Sequence, residues 1–152
     1  MNRWMKIAYS EAVDGMLAND GGPFGAAIVK DNKIVTSTHN QVLKTKDPTA
    51  HAEIIAIRKA SKILNTFDLS QCTLYTTCQP CPMCLGAIFW ARIKTVYYGA
   101  TKNDAARGGF DDNRFYKMLN SDQKDTLLRQ IDHKQNAKLF DMWLDKNDAQ
   151  IY

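Results

Sequence analysis

Apolar residues recur with a different period from one segment of the chain to the next, and each period predicts a type of secondary structure. Over residues 2–18 they follow a helical spacing, which predicts an amphipathic first helix. Two short runs rich in β-branched residues follow, over residues 26–30 and 33–37. They flank Asp31 and Asn32, which favour tight turns, so we expect a β-hairpin.

The segment from residue 39 to residue 100 alternates between helical and strand patterns. It predicts a loop over 39–47, helices over 50–64 and 80–91, and strands over 72–77 and 95–100. Alternation of this kind is typical of an α/β sandwich in which the later strands run parallel.

Beyond residue 100 the pattern becomes mainly helical. A loop over residues 108–112 precedes predicted helices over 115–119, 121–129 and 136–146. Ser121 is a good N-cap for the second of these helices, and apolar residues form a stripe along the last. We find neither an internal repeat nor a linker, so we expect a single domain over residues 1–152.

Composition adds limits on the class of protein. The chain is 45% hydrophobic and 24% charged, as is ordinary for a globular domain. The net charge is +4, but the basic residues are scattered among acids, which permits nucleic-acid binding without indicating it. Since no apolar run reaches membrane length and no secretory leader is recognisable, we expect a cytoplasmic protein without a membrane partner. The four cysteines are then ligands or buried thiols rather than disulfides.

Four residues in two segments carry the densest chemistry: His51 and Glu53 in the first, Cys81 and Cys84 in the second. One imidazole and two thiolates make three ligands for zinc, and a catalytic zinc keeps its fourth position for water. Cys81 and Cys84 are three residues apart, so one helical turn directs both sulfur atoms the same way. Glu53 is then the carboxylate free to move protons.

Prolines mark the places where the two helices begin. Pro48 precedes His51, and Pro80 and Pro82 flank Cys81, at positions where a missing N–H group is tolerated. Two helix N-termini that face each other would hold the metal, because their partial positive charge favours ionised thiolates.

Other metal or redox sites are open from the residues alone. Cys78 extends the pair to three cysteines at iron–sulfur spacing, but no fourth cysteine follows in the pattern of such clusters. A closed structural zinc site with Cys78 or Cys72 as its fourth ligand is a second alternative. A redox pair would need neither His51 nor Glu53.

Several further residues have ordinary explanations when each is considered alone. Large aromatic side chains such as Phe24 and Trp90 are mostly buried for packing. The others are interpreted by default as structural, loop or terminal residues: His39, Asn40, Asp111, Asp112, His133 and Tyr152. Composition alone gives none of them a binding role.

Two motifs resemble those of the cytidine deaminase-like superfamily of zinc hydrolases: PTAHAE at residues 48–53 and PCPMCLGAI at residues 80–88. Within it the chain is similar to the bacterial guanine deaminase branch, from GGPFGA at residues 21–26 to the terminal tyrosine. Residues 109–112 and Tyr152 separate this branch from its near relatives. The resemblance implies a three-layer α/β/α fold with a mixed five-stranded sheet.

The resemblance also implies roles for matching residues. One zinc ion per subunit would be bound by His51, Cys81 and Cys84. Glu53 would take a proton from the attacking water and pass it toward the leaving ammonia. Asp112 would hold and protonate the exocyclic amine, although the sequence does not decide between Asp111 and Asp112 as the second acid.

The same resemblance implies how a purine base would be held. Asn40 would hydrogen-bond the purine, and Phe24 and Trp90 would line the faces of the flat base. Tyr152 would close the pocket from the end of the chain, which favours a free base over RNA. The implied reaction converts guanine to xanthine and ammonia. Exchange of C-terminal segments in this branch implies a domain-swapped homodimer.

Three other functions are open at this point. A tRNA adenosine deaminase shares the zinc motifs but uses a basic C-terminal helix to grip RNA, and here Asp141, Asp145 and Asp148 interrupt the lysines. A non-enzymatic module stabilised by zinc would not need Glu53. Another aminated heterocycle, such as adenine, cytosine or a triazine, would use the same zinc chemistry.

Overall fold

A computed structural model describes residues 1–119 and 133–147 of the chain. Within these ranges the chain forms seven helices and four strands. In chain order they are α1 (Arg3–Leu17), β1 (Gly25–Lys30), β2 (Lys33–His39), α2 (Val42–Thr45), α3 (Ala52–Leu64), β3 (Thr73–Cys78), α4 (Pro82–Trp90), β4 (Thr95–Ala100), α5 (Lys102–Arg107), α6 (Asn113–Leu119) and α7 (His133–Leu144). The predicted helix over 121–129 and the predicted closing residue Tyr152 lie outside the described residues.

The four strands form one mixed sheet in the order β2-β1-β3-β4. Strand β1 runs antiparallel to both β2 and β3, whereas β3 and β4 are parallel. Asp31 and Asn32 join β1 to β2 with positive φ angles of 47° and 58°, as a two-residue hairpin turn of the favoured type requires. The predicted hairpin and the predicted parallel pairing of the later strands are therefore confirmed.

The expectation of a five-stranded sheet is wrong for the part of the chain that the structure describes, where the sheet has four strands. The chain leaves β4 at Thr101, whose hydroxyl accepts a hydrogen bond from the backbone N–H of Asp104. The Asp104 carboxylate in turn accepts from the Thr101 backbone N–H, which completes a capping box and begins α5. The sequence pattern missed both short helices: α2 lies in the segment 39–47 that was predicted as a loop, and no element was predicted where α5 lies.

Helix α1 packs on one face of the sheet through small residues. Ala8 and Ala12 are buried there, and Gly25 at the start of β1 lies so close that a Cβ atom would collide with the Ala8 carbonyl oxygen. A glycine is needed at this crossing because the helix backbone itself touches the strand.

Helices α3 and α4 pack on the opposite face, which completes the predicted α/β/α layering. Three alanines along α3, Ala52, Ala56 and Ala60, are fully buried against the sheet. Ile88 of α4 joins the same core, together with Ile28 and Leu74 of the sheet. The small side chains of α3 let this helix approach β1 and β2 closely, so its first residues are fixed at one end of the sheet.

No helix among the residues described is long and apolar enough to span a membrane.

Candidate active site

His51 and Cys81 occupy equivalent positions at the starts of two helices. His51 is the N-cap residue of α3 and Cys81 is the N-cap residue of α4, both with extended backbone angles. Cys84 lies one turn into α4 and is completely buried. Both helices therefore direct their partial positive charge toward the candidate ligands, which favours thiolates over thiols.

The ligand atoms of His51, Cys81 and Cys84 lie within 4.8 Å of one another. Nδ1 of His51 is 3.6 Å from Sγ of Cys81 and 3.5 Å from Sγ of Cys84. In a tetrahedral zinc site, bonds of about 2.3 Å to sulfur and about 2.0 Å to nitrogen place these atoms about 3.6 Å apart. The spacing and the donor types therefore fit a zinc ion.

The acid–base properties of the two cysteines are coupled through the hydrogen bond between them. A hydrogen bond from Cys84, aided by His51, lowers the pKa of the Cys81 thiol to about 4. The same hydrogen bond, together with burial, raises the pKa of Cys84 far above its usual range. Since two neighbouring thiolates repel each other, both ionise together only when a cation lies between them.

The other two cysteines stand apart from this group. Among the residues described, the three-residue cluster includes neither Cys72 nor Cys78. The Cys78 thiol lies 3.7 Å from the carbonyl oxygen of Thr101, and burial raises its pKa to about 11, so it stays protonated near neutral pH. The described residues thus supply three protein ligands, as in catalytic zinc sites, rather than the four of a closed structural site.

Glu53 lies in the first turn of α3, two residues beyond His51, and is only 6% exposed. Its Oε1 accepts a hydrogen bond from the Thr76 hydroxyl at 3.2 Å, and its Oε2 lies 3.6 Å from Sγ of Cys84. Burial is the main cause that raises the pKa of this carboxyl group. A buried carboxyl group with a raised pKa at the edge of a cavity is suited to accept and release a proton.

A cavity of about 850 Å³ opens beside these residues. Its wall is mainly apolar, with a few polar groups, as is typical of small-molecule sites. Phe24 and Phe110 form one side, with ring centroids 4.9 Å apart in an edge-to-face arrangement. The lining also includes His51, Glu53 and Cys81, together with Asn40, Cys78, Lys102, Asp111, Asp112 and Phe115.

Asn40 is 5% exposed and its amide orientation is fixed by the backbone. Its Oδ1 accepts hydrogen bonds from the N–H groups of Gly22 at 3.3 Å and Val42 at 3.2 Å. Gly21 lies against the same side chain, where a Cβ atom would collide with Oδ1. With the oxygen occupied in this way, the amide NH₂ group is the part of Asn40 that is available to donate to another molecule.

Asp111 and Asp112 differ in exposure and in the contacts of their carboxylates. Asp111 is exposed and accepts a hydrogen bond from the backbone N–H of Asn113 at 2.9 Å. Asp112 is partly buried, and burial followed by the nearby Cys81 raises its pKa. The segment after Asp112 is attached to the residue before Cys81, because the Tyr116 hydroxyl donates a hydrogen bond to the Pro80 carbonyl at 3.1 Å.

The structure brings most of the predicted site residues to this cavity, but Trp90 is not among the residues that line it. Trp90 is the last residue of α4 and is 68% exposed. Eight residues of helix carry it about 12 Å from the start of α4, where Cys81 lies. Within one chain the structure does not bring Trp90 to this cavity, and its predicted contact with the base stays a prediction. Tyr152 lies outside the described residues.

Several lining residues were not singled out from the sequence. Phe110, Phe115 and Lys102 follow β4, in a region whose short helices have no strong apolar period. The glycine-rich run before Asp112 was a usable signal for Phe110, since it belongs to a segment that resembles the guanine deaminase branch.

Residues 1–100 match the family model described as the cytidine and deoxycytidylate deaminase zinc-binding region. Guanine deaminase from Bacillus subtilis (strain 168) is 46% identical over 142 residues, which cover 92% of this chain and 91% of that protein. An X-ray structure of guanine deaminase from Bacillus subtilis is similar with a TM-score of 0.93 and 44% identity, covering 100% of this chain and 99% of that one. A tRNA-specific adenosine deaminase from Buchnera aphidicola is 43% identical over 109 residues, 70% of each chain.

Replacement of single cysteines tests the ligand set. Cys81→Ser and Cys84→Ser should each reduce the bound zinc well below one ion per chain, because a ligand is lost from a three-ligand site. Cys78→Ser is the matched control, since this thiol contacts Thr101 instead, and it should retain zinc. Metal analysis of the purified proteins measures the content. Loss of zinc from Cys78→Ser equal to that from the other two would show a different ligand set.

Proposed function

Because the chain belongs to the family defined by the cytidine and deoxycytidylate deaminase zinc-binding region, we propose that it catalyses the zinc-dependent hydrolysis of guanine to xanthine and ammonia. The observation that carries the reaction type is the buried Glu53 beside the three-ligand metal site, at the wall of one cavity. The nearly end-to-end likeness to guanine deaminase from Bacillus subtilis supports the choice of base.

Proton transfer in this reaction is assigned to Glu53. The bound zinc ion supplies a Lewis acid that makes water nucleophilic near neutral pH. At C2 of guanine a C–O bond to water forms and the C–N bond to the amine breaks. Thr76 holds Oε1 of Glu53. We assign Glu53 the transfer of the two protons that water loses: one passes to the ring nitrogen next to C2 as the new C=O bond forms, and the other goes toward the departing amine, which leaves as ammonia.

Asn40 orients the base. Its amide oxygen is occupied by the backbone, so its NH₂ group donates to the substrate. This selects a base that presents acceptors on the edge facing Asn40, as guanine does with its carbonyl oxygen and ring nitrogen. Phe24, supported by Phe110, contributes an aromatic wall for the flat base.

Asp112 is proposed to hold the exocyclic amine and to help protonate it, by passing on a proton that the attacking water has released. Its position at the cavity, its partial burial and its raised pKa support this role. The carboxylate of Asp111 instead caps the backbone of Asn113, which supports the choice of Asp112 as the second acid.

A free purine base is the proposed partner, and nucleic acid is not. Helix α7 carries Asp141, and Asp145 follows it, both exposed among the basic residues of this region. A carboxylate on a surface that tracks phosphates would oppose binding, because phosphate contacts rest on unopposed positive charge. Tyr152 is proposed to close the pocket over a base, which would leave little room for ribose and further nucleotides.

We also propose that the 152 residues form one domain and that two chains exchange their C-terminal segments in a homodimer. Large apolar side chains stand exposed on α7, such as Phe140 at 72% and Leu144 at 79%. Phe89 and Trp90 are similarly exposed at the end of α4. Exposed apolar surface on this scale marks protein–protein contact sites.

The proposed location is the cytoplasm. All four cysteines are free thiols. Two of them would ligate zinc only in the reduced form, which the cytoplasm maintains.

Product analysis tests the proposed reaction. The zinc-loaded protein should form xanthine from guanine, and no deaminated product from guanosine, adenine, cytosine or a tRNA anticodon stem-loop, as chromatography would show. Glu53→Gln should lower kcat by roughly 10²- to 10⁴-fold because it cannot carry the proton, while metal analysis shows zinc retained. Inosine in the stem-loop without xanthine would instead place the chain among tRNA deaminases.

A matched pair of substitutions tests the second acid. Asp112→Asn should lower kcat on guanine roughly 10²-fold or more, because a carboxamide cannot donate the proton. Asp111→Asn keeps an oxygen that can accept from Asn113, so its kcat should stay near that of the unaltered protein. Steady-state kinetics on zinc-matched samples distinguishes the two. A larger loss at Asp111 would reverse the assignment.

Light scattering tests the homodimer. Phe140→Glu on α7 should shift the mass of the unaltered protein from that of two chains toward one, because it places a charge in the proposed contact. Ile63→Glu on α3, at a side chain that is 60% exposed, is the control and should keep the mass of two chains. A mass of one chain for the unaltered protein would contradict the proposal directly.

A further inference from the structure

His39, interpreted from the sequence as structural, lies between two carboxylates at the end of β2. Its Nδ1 is 3.0 Å from Oε2 of Glu11, and its Nε2 is 2.9 Å from Oδ2 of Asp20. Each ring nitrogen therefore faces a carboxylate oxygen at hydrogen-bond distance. One imidazole ring thus cross-links α1 with the loop that follows it.

The ring is held in place by its surroundings. Ser37 donates to the other Glu11 oxygen at 2.6 Å, and Lys44 of α2 donates to Oδ2 of Asp20 at 2.8 Å. Gly15 lies against the ring face, where a Cβ atom would collide with it. Only 18% of the His39 side chain is exposed, so this cross-link is partly shielded from water.

Asp20 transmits this constraint toward the cavity. Its backbone carbonyl accepts from the N–H groups of Leu43 and Lys44, at 3.0 and 2.9 Å, which attaches α2 to the loop. The next residues of the loop are Gly21 and Gly22, both of which line the cavity. Asp20 therefore joins the loop to α2 through its main chain while His39 holds its side chain.

Both hydrogen bonds that orient Asn40 come from the two segments joined in this way. Gly22 in the loop and Val42 at the start of α2 supply the two N–H groups that occupy Oδ1 of Asn40. Asn40 also follows His39 directly in the chain. A shift of the loop or of α2 would free Oδ1 and let the amide rotate.

We propose that His39 is a positioning residue for substrate binding, which acts by holding Asp20 so that Asn40 presents its NH₂ group to the base. This rests on the proposed function for its substrate. It assigns His39 to base recognition and not to the proton transfers, because its contacts lead to Asn40 and its ring nitrogens are occupied by Glu11 and Asp20.

Kinetics on guanine tests the proposal. His39→Ala should raise KM roughly 3- to 10-fold, the size of one hydrogen bond made or lost, with kcat and zinc content close to those of the unaltered protein. Asp20→Ala, which keeps the backbone carbonyl, should act in the same direction and serves if His39→Ala fails to fold. Asp68→Asn removes a carboxylate that pairs with Arg92 away from the cavity and should leave KM unchanged.

A double substitution separates positioning from general destabilisation. If His39 acts through Asn40, then His39→Ala added to Asn40→Ala should raise KM no further than Asn40→Ala alone. Independent, additive effects would overturn the proposal. An unchanged KM in both His39→Ala and Asp20→Ala would also overturn it. A fall in kcat together with loss of zinc in His39→Ala would do the same. His39→Gln, which can restore one of the two hydrogen bonds, should recover part of the KM change.

Amide hydrogen exchange gives a readout that does not depend on the substrate. His39→Ala should speed exchange in peptides covering residues 20–24 and 41–45, whereas Asp68→Asn should not. If the unaltered protein makes no xanthine, the proposed function fails, yet faster exchange in these two segments would still support the link from His39 to Asn40. Unchanged exchange there would overturn that link even in an active guanine deaminase.

Discussion

Three ligand atoms have to meet within 4.8 Å although His51 and Cys81 are separated by 30 positions in the chain. The sheet makes this possible because α3 and α4 both pack on one of its faces and both begin at the same end. Buried alanines bring α3 close to β1 and β2, and β3 ends three residues before Cys81. The distance between the two helix starts, and hence the site, is set by the packing of the core.

The same packing buries Glu53, and this has a thermodynamic cost. A carboxyl group removed from water is stabilised in its neutral form, which is why its pKa rises. Thr76 satisfies one of its oxygens, while the other faces the metal ligands. A residue that only served stability would be better replaced by an apolar one, so the burial of Glu53 supports its proposed role in proton transfer.

Local spacing made part of this site predictable from the sequence. Cys81 and Cys84 share a helical turn, and His51 and Glu53 share a helix start, so each pair was visible in a few residues. His39 was not recognisable, because its partners Glu11 and Asp20 lie 28 and 19 residues away and only the fold brings them together. Helix α2 was missed for the same reason, since two of its N–H groups, those of Leu43 and Lys44, are satisfied by the distant Asp20 carbonyl. For Trp90 the motif alone does not reveal which face of α4 meets the cavity, and within one chain this side chain is exposed.

The cavity is lined both by residues within the range that matches the family model and by residues that follow it. The metal ligands, Glu53 and Asn40 all fall within residues 1–100, the range that matches the family model. A tRNA-specific relative is 43% identical to this chain, so strong similarity within the family is compatible with a very different substrate. The cavity wall supplied after residue 100 includes Phe110, Asp112 and Phe115. Phe110 packs edge-on against Phe24, which joins this later segment to the cavity wall formed by the first part of the chain. The proposed proton transfer through Glu53 thus lies in the first 100 residues, whereas the proposed recognition of the base draws on both parts of the chain: Asn40 and Phe24 before residue 100, and Phe110 and Asp112 after it.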